Sequence, residues 1–272
     1  MDSVEHKLKH TNLSEAEKRG VKIGWRRKQK GGVAKAMGKL FSDKLGHIGA
    51  MELALGKIWC PTKSLEVKEM VENQFMFLFH QEAWKRKALE NGPSTFGKEL
   101  LVMEDFNPRK TLEVYTFDTV PIRVRIYNVL LGMMCKEVGE ELAEEIDKLV
   151  EVDGGEDGTT LGICLRMKVK IKVAELLMRG LYLDVEPTKG EAGSDMDVGM
   201  TKEEKLKKKN QGMIWCHFEY EYLPDFCYTC GRLSHEDRVC SIKLKKGQKA
   251  EFGRWVKYVP ERAHTSDVGR TT

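Results

Sequence analysis

Residues 227–240 read Cys-Tyr-Thr-Cys-Gly-Arg-Leu-Ser-His-Glu-Asp-Arg-Val-Cys. Four metal-ligand side chains, Cys227, Cys230, His235 and Cys240, thus fall in one 14-residue window. Thiolates and an imidazole at C-x2-C-x4-H-x4-C spacing suit tetrahedral zinc, with sulfurs at about 2.3 Å and nitrogen near ~2.0 Å. The Cys227/Cys230 pair can meet one ion through a tight turn. Gly231 lets the chain reverse without a Cβ clash, and the two spacers bring His235 and Cys240 over the remaining positions. Protein fills all four positions, leaving none for an activated water, so one structural Zn2+ is expected and not a catalytic one. A peptide this short cannot fold on burial alone, so metal binding is expected to supply its folding free energy. The other cysteines, Cys60, Cys135, Cys164 and Cys216, are scattered singly, and the total of seven is odd. That is a poor disulfide framework and fits a reducing compartment.

The ligand spacing is that of the zinc knuckle of retroviral and retrotransposon gag proteins, and the match in spacing is complete. The resemblance extends upstream through Tyr222-Leu223-Pro224-Asp225-Phe226. That run resembles the approach to the knuckle in a large group of plant proteins, many derived from LINE-type retrotransposons, in which an uncharacterised gag-like domain precedes a single CCHC knuckle. Ile58-Trp59, Asn73–Phe79, Asn91–Phe96 and Arg179-Gly180-Leu181 are similar to that family's landmarks, so the likeness covers roughly residues 13–240. It departs at Ser94, where the family has Trp, and at Glu175-Leu176-Leu177, where a Pro-Leu pair is usual. The resemblance implies an RNA-recognition-like first domain and binding of nucleic acid and zinc. In family knuckles the aromatic after the first cysteine stacks on a base; here that is Tyr228, and such stacking is worth about 1–3 kcal/mol. Arg232 and Arg238 are candidates to hold phosphates, as are Lys243, Lys245 and Lys246 in the basic tail. Ser234 stands where a glycine is usual, and Glu236-Asp237 replace small or apolar residues. Two acids on that face are expected to repel phosphate and leave the basic tail to supply affinity.

The elements that must position this site read as α+β. Val33–Phe41 is a candidate strand, and His47–Trp59 carries Ile48, Met51, Leu55 and Ile58 on one helical face. Leu65–Met70 alternates as a strand, and Gln74–Phe79 sets Phe75, Phe77 and Phe79 on one side of the next. Glu82–Glu90 is helical up to the stop Asn91-Gly92-Pro93, and Leu100–Met103 completes β-α-β-β-α-β. That is the ferredoxin-like order used by RNA-recognition domains. Gln74 and Met76 fall where such domains carry base-stacking aromatics, so no stacking is assigned to this sheet, and a second unit could cover it instead. That unit comprises Pro121–Val129, an acidic amphipathic helix at Lys136–Lys148, Leu149–Val152, Leu161–Val173, Leu181–Val185 and Met213–Tyr222. The chain then divides into a basic disordered arm (1–32), a ferredoxin-like domain (33–105) and a second small α+β unit (119–185). A flexible linker (186–212), a strand with the knuckle (213–241) and a basic tail (242–272) follow.

Composition bounds the function. The chain has 272 residues, is 41% hydrophobic and 32% charged, and carries a net charge of only +4. Charge placement says more. From Lys18 to Lys39 there are nine Lys/Arg and no acid, whereas Glu137–Asp157 holds ten acids against Lys148. The basic run Lys18–Lys30 is a candidate nuclear import signal or phosphate-binding arm. No apolar run is long enough to span a membrane, and no apolar leader opens the chain. The G-x-x-x-x-G-K-[ST], G-x-S-x-G and H-E-x-x-H motifs are missing from the sequence, so a non-enzymatic protein is expected. Two readings follow: a gag-like protein gripping single-stranded RNA or DNA through knuckle and tail, or a protein-interaction module binding a protein partner through knuckle and acidic helix. Oligomeric state is left open.

Overall fold

A computed structural model describes residues 12, 14–21, 33–154, 160, 162–185, 213–245 and 247–260. Within the N-terminal arm, Glu15–Lys18 forms one helical turn where disorder was expected. The cause is a capping box: Ser14 Oγ accepts from the Glu17 N–H, while the Glu17 carboxylate accepts from the Ser14 N–H at 2.7 Å. Most of the basic run Lys18–Lys30 lies outside the described residues, as does the linker 186–212. Among the described residues, no helix is long and apolar enough to cross a membrane.

The described residues from Val33 onward form one compact α+β unit built on two five-stranded antiparallel sheets. The first contains β1 (Ala34–Phe41), β2 (Glu66–Glu69), β3 (Gln74–Phe79), β4 (Ser94–Phe96) and β5 (Glu99–Asp105), in the order β2-β3-β1-β5-β4. Helices α1 (Ile48–Trp59) and α2 (Glu82–Glu90) share a core with this sheet. Phe75, Phe77 and Phe79 are fully buried there, with Trp59 edge-on to Phe77 at 5.7 Å between centroids. The apolar stripe of α1 differs from the expected one. Met51, Leu55 and Trp59, spaced by four, face the core, while Ile58 is 56% exposed. The indole of Trp59 buries more apolar surface than Ile58 would and sets the helix rotation. Asn73, in the left-handed region at φ 61° and buried, ties down the loop after β1. Its amide donates to the Ser42 and Lys44 carbonyls and accepts from the Gly46 N–H.

The second sheet contains β6 (Thr119–Tyr127), β7 (Lys148–Val152), β8 (Cys164–Lys172), β9 (Gly180–Asp184) and β10 (Met213–Tyr220), in the order β7-β8-β6-β10-β9. Met213–Tyr220, read from the sequence both as a strand of the second unit and as the lead into the knuckle, is an interior strand of this sheet. Its inward residues Cys216, Phe218 and Tyr220 are fully buried beside Val124 and Ile126 of β6. Helix α3 (Lys136–Ile146) adds Leu142 and Ala143 to the same core. Met37, Leu100 and Val102 from the first sheet also belong to this core, with Met76 packed against it. Each sheet thus loses its free apolar face to one continuous interior.

The opposite face of the second sheet carries an ion-pair network. Glu221, with a side chain only 3% exposed, accepts from Arg125 Nε at 2.6 Å and from Arg166 Nε and Nη2 at 2.7 and 2.6 Å. Desolvation pushes this carboxyl up, but the hydrogen bonds from Arg166 and Arg125 prevail and hold it below its ordinary value. The stability it contributes is therefore present above the unfolded-state value of about 4.3 and lost as pH falls through the lower folded value. Removing one partner of a fully buried pair costs ~3–5 kcal/mol. Arg166 is about a third exposed, so Glu221→Gln is expected to cost about 1–3 kcal/mol. Thermal melts at neutral and acidic pH check this: the wild-type advantage should vanish in acid.

Candidate metal centre and the cleft beside it

Strand β10 leads into the metal-ligand window through Tyr222, held at φ 53°, and the buried Leu223. Two backbone hydrogen bonds then close the Cys227–Cys230 turn: Gly231 N–H to Cys227 O at 2.8 Å and Cys227 N–H to Arg232 O at 3.0 Å. Gly231 sits at φ +73°, and a Cβ there would run into the ring of Phe252. Glycine is required twice over, by the turn and by the packing.

Cys227, Cys230, His235 and Cys240 bring their ligand atoms within 4.8 Å of one another. A tetrahedron with bonds of ~2.3 Å has edges of about 3.8 Å, so the four atoms fit around one zinc ion. His235 turns Nε2 toward this cluster, 3.3 Å from Cys230 Sγ, and places Nδ1 3.0 Å from Ser234 Oγ. The Nδ1–H then donates to Ser234, which leaves the Nε2 lone pair for the metal. Ser234, the departure from the usual glycine, thus orients a ligand. Asp237 has a comparable task. Its Oδ1 accepts from the Thr229 N–H at 2.8 Å and Thr229 Oγ at 2.9 Å, and lies 3.3 Å from Cys227 Sγ. Its carboxylate staples the second half of the loop to the first.

The hairpin is docked and not freely tethered. Leu177 N–H donates to Gly231 O at 2.8 Å, and Leu176 forms an antiparallel bridge with Arg232. Phe226, Leu233 and Phe252 are buried and join the interior of the two sheets. Metal binding is therefore not the sole source of the loop's folding free energy: each such side chain contributes about 1.5–3 kcal/mol.

Tyr228 is half-buried, edge-on to Phe226 at 4.9 Å. It lines a cleft of about 330 Å³ with Asp225, Phe226, Glu236, Asp237, Arg238 and Arg254. Of the residues expected to contact nucleic acid, the structure brings Tyr228 and Arg238 together here. Arg232, Lys243 and Lys245 are exposed but do not line this cleft, and Lys246 lies outside the described residues. Arg254 belongs to the basic tail expected to supply affinity but was not singled out there as a site residue. The signal was present in Phe252, Val256 and Tyr258, apolar and aromatic residues that a freely solvated tail has no reason to carry.

Burial pushes the Cys227 thiol up to about 12, so its proton must leave when the metal binds. Zinc affinity is expected to weaken as pH is lowered. Native mass spectrometry is expected to find one zinc per chain in the wild type and none in His235→Ala. Because Leu233 and Phe226 remain docked, a strong chelator should lower the melting temperature without unfolding the two sheets.

No curated protein and no solved structure matches this chain. Residues 198–242 match the family described as zinc knuckle. With the ligand geometry above, the conclusion is that this chain carries a CCHC zinc knuckle with one zinc site at Cys227, Cys230, His235 and Cys240.

Proposed function

We propose that this chain is a zinc-dependent nucleic-acid-binding protein, gag-like in character, that grips single-stranded RNA or DNA through its knuckle. The observation that carries this reading is Tyr228, set beside Arg238 in a cleft on the zinc-stapled hairpin. A planar aromatic held by a rigid turn offers a stacking face to any unpaired base, and a neighbouring guanidinium offers charge to the phosphate. The acids of the cleft do not defeat this. Asp237 is engaged with Thr229, Asp225 is paired with Lys257 at 2.8 Å, and Glu236 is opposed by Arg238 at 3.8 Å. The order β2-β3-β1-β5 with helices in both crossovers supports a ferredoxin-like scaffold. In this reading the first sheet is a scaffold and not a base platform, because Met37, Leu100 and Val102 face the second sheet. On the same reading the ferredoxin-like domain (33–105) and the second α+β unit (119–185) lie between the N-terminal arm (1–32) and the linker (186–212).

Fluorescence anisotropy on short single-stranded RNA, single-stranded DNA and duplex tests the reading. Zinc-loaded wild type is expected to prefer single strands, with binding that falls steeply as salt rises. Tyr228→Ala should weaken it roughly five- to a hundredfold, the equivalent of about 1–3 kcal/mol of stacking, while retaining zinc. Binding that ignores both Tyr228→Ala and His235→Ala would move the activity to the basic termini. Absence of single-strand binding would leave the protein-partner reading in its place.

A further inference from the structure

The tail after Cys240 folds back over the knuckle. Phe252 is 7% exposed, with its ring against Gly231 and the Arg179 guanidinium 5.4 Å above its centroid. Val256 is fully buried. Farther on, Tyr258 N–H donates to Tyr220 O at 2.9 Å, and Lys257 bridges to Tyr220 in parallel fashion at the end of β10. Lys257 Nζ also reaches Asp225 at 2.8 Å, and the Arg125 guanidinium lies 3.7 Å from the centre of the Tyr258 ring. These anchors fix both ends of a single 3-10 turn, Arg254–Val256. The turn buries Val256 and puts Arg254 on the wall of the Tyr228 cleft.

The charges around that cleft are unequal in their availability. Lys257 is spent on Asp225, and Arg238 stands opposite Glu236. Arg254 is exposed and makes no ion pair among the described residues. It is the cleft cation without an acidic partner among the described residues, and it stands beside Arg238, whose exposed pair with Glu236 at 3.8 Å yields readily. A cleft bounded by an aromatic ring on a zinc-stapled turn and by an uncommitted guanidinium on an anchored strap matches one unit of a polynucleotide, a flat base beside a phosphate.

Building on the function proposed above, we propose that residues 251–258 form a strap that completes the binding site, with Tyr228 stacking a base and Arg254 holding the phosphate beside it. The tail contributes at this fixed point, through one arginine, and not only as a diffuse basic segment.

The test uses the full zinc-loaded chain and fluorescence anisotropy on a short oligouridine RNA and an oligothymidine DNA across a salt series. The variants are Arg254→Ala, Arg254→Lys, Tyr228→Ala and, as a charge-matched control on the far strand β7, Lys148→Ala. Zinc content and melting temperature are checked for each. Arg254→Ala is expected to weaken binding about tenfold, as for a lost charge-assisted hydrogen bond, and to reduce the slope of log K against log salt by about 0.7, one phosphate on a single strand. Arg254→Lys should keep the wild-type slope. If Arg254→Ala matches Lys148→Ala while Tyr228→Ala still loses binding, the strap has no part in the site, although the knuckle reading stands. If wild type binds neither oligonucleotide, both proposals fall.

Discussion

The hydrogen bond from Leu177 N–H to Gly231 O, at 2.8 Å, joins the segment between β8 and β9 to the turn that carries two of the metal ligands. Gly231 sits there at a positive φ, and Phe252 lies against its missing Cβ. One backbone position therefore serves the metal turn, the sheet and the tail together. Any side chain at position 231 would have to displace the aromatic ring, one of the anchors of the segment that ends at Tyr258. The burial of Phe252 and Leu233 is worth about 1.5–3 kcal/mol each, whereas structural zinc binding is worth ~10–16 kcal/mol in isolated fingers. The ion dominates the local fold, and the docking decides where the fold points.

Electrostatics around the metal follow the same logic of local assignment. Glu236 and Asp237 look, in the sequence, like two acids aimed at an incoming phosphate. Thr229 takes up Asp237 through both its N–H and its hydroxyl, and those bonds together with one from the Tyr228 backbone hold this carboxyl below its ordinary value despite desolvation. The charge persists, but it is directed inward, where it shapes the loop. Glu236 stands in front of Arg238 at 3.8 Å, a distance at which an exposed pair is worth little and yields readily.

Ligand spacing made the metal centre readable from sequence because four ligand residues within fourteen positions constrain geometry almost by themselves. Period-two alternation likewise placed Phe75, Phe77 and Phe79 inward. Other features were set by contacts distant in sequence. Leu176 and Leu177 meet Arg232 and Gly231 across more than fifty residues. The β4–β5 hairpin, Ser94–Phe96 with Glu99–Asp105, turns through Gly97-Lys98 at φ 61° and 75°. Lysine is an unusual occupant of that second left-handed position, where glycine is favoured, and this hid the turn. In α1 the competition between Ile58 and Trp59 for the core was decided by Phe77 and Phe79 on the neighbouring sheet, which the helix's own periodicity cannot express. The tail was hardest of all: its lysines dominate its composition, while the packing rests on Phe252 and Val256.

The stretch recognisable by its ligands and the stretch that folds are of different lengths. The family likeness ends at residue 242, yet the surfaces that close over Gly231 and Tyr220 belong to residues 252–258. A fragment cut at the recognisable boundary would keep every metal ligand and lose the ring that covers Gly231. It would also lose the donor to the Tyr220 carbonyl, exposing an apolar seam to other copies of itself. Grafted elsewhere, such a fragment would hold its ion but forget its bearing, since the knuckle takes its direction from β10 and from the strand pairing behind it. In the intact chain that bearing is inherited from the sheet, through the bridge between Leu176 and Arg232 and the pairing of β10.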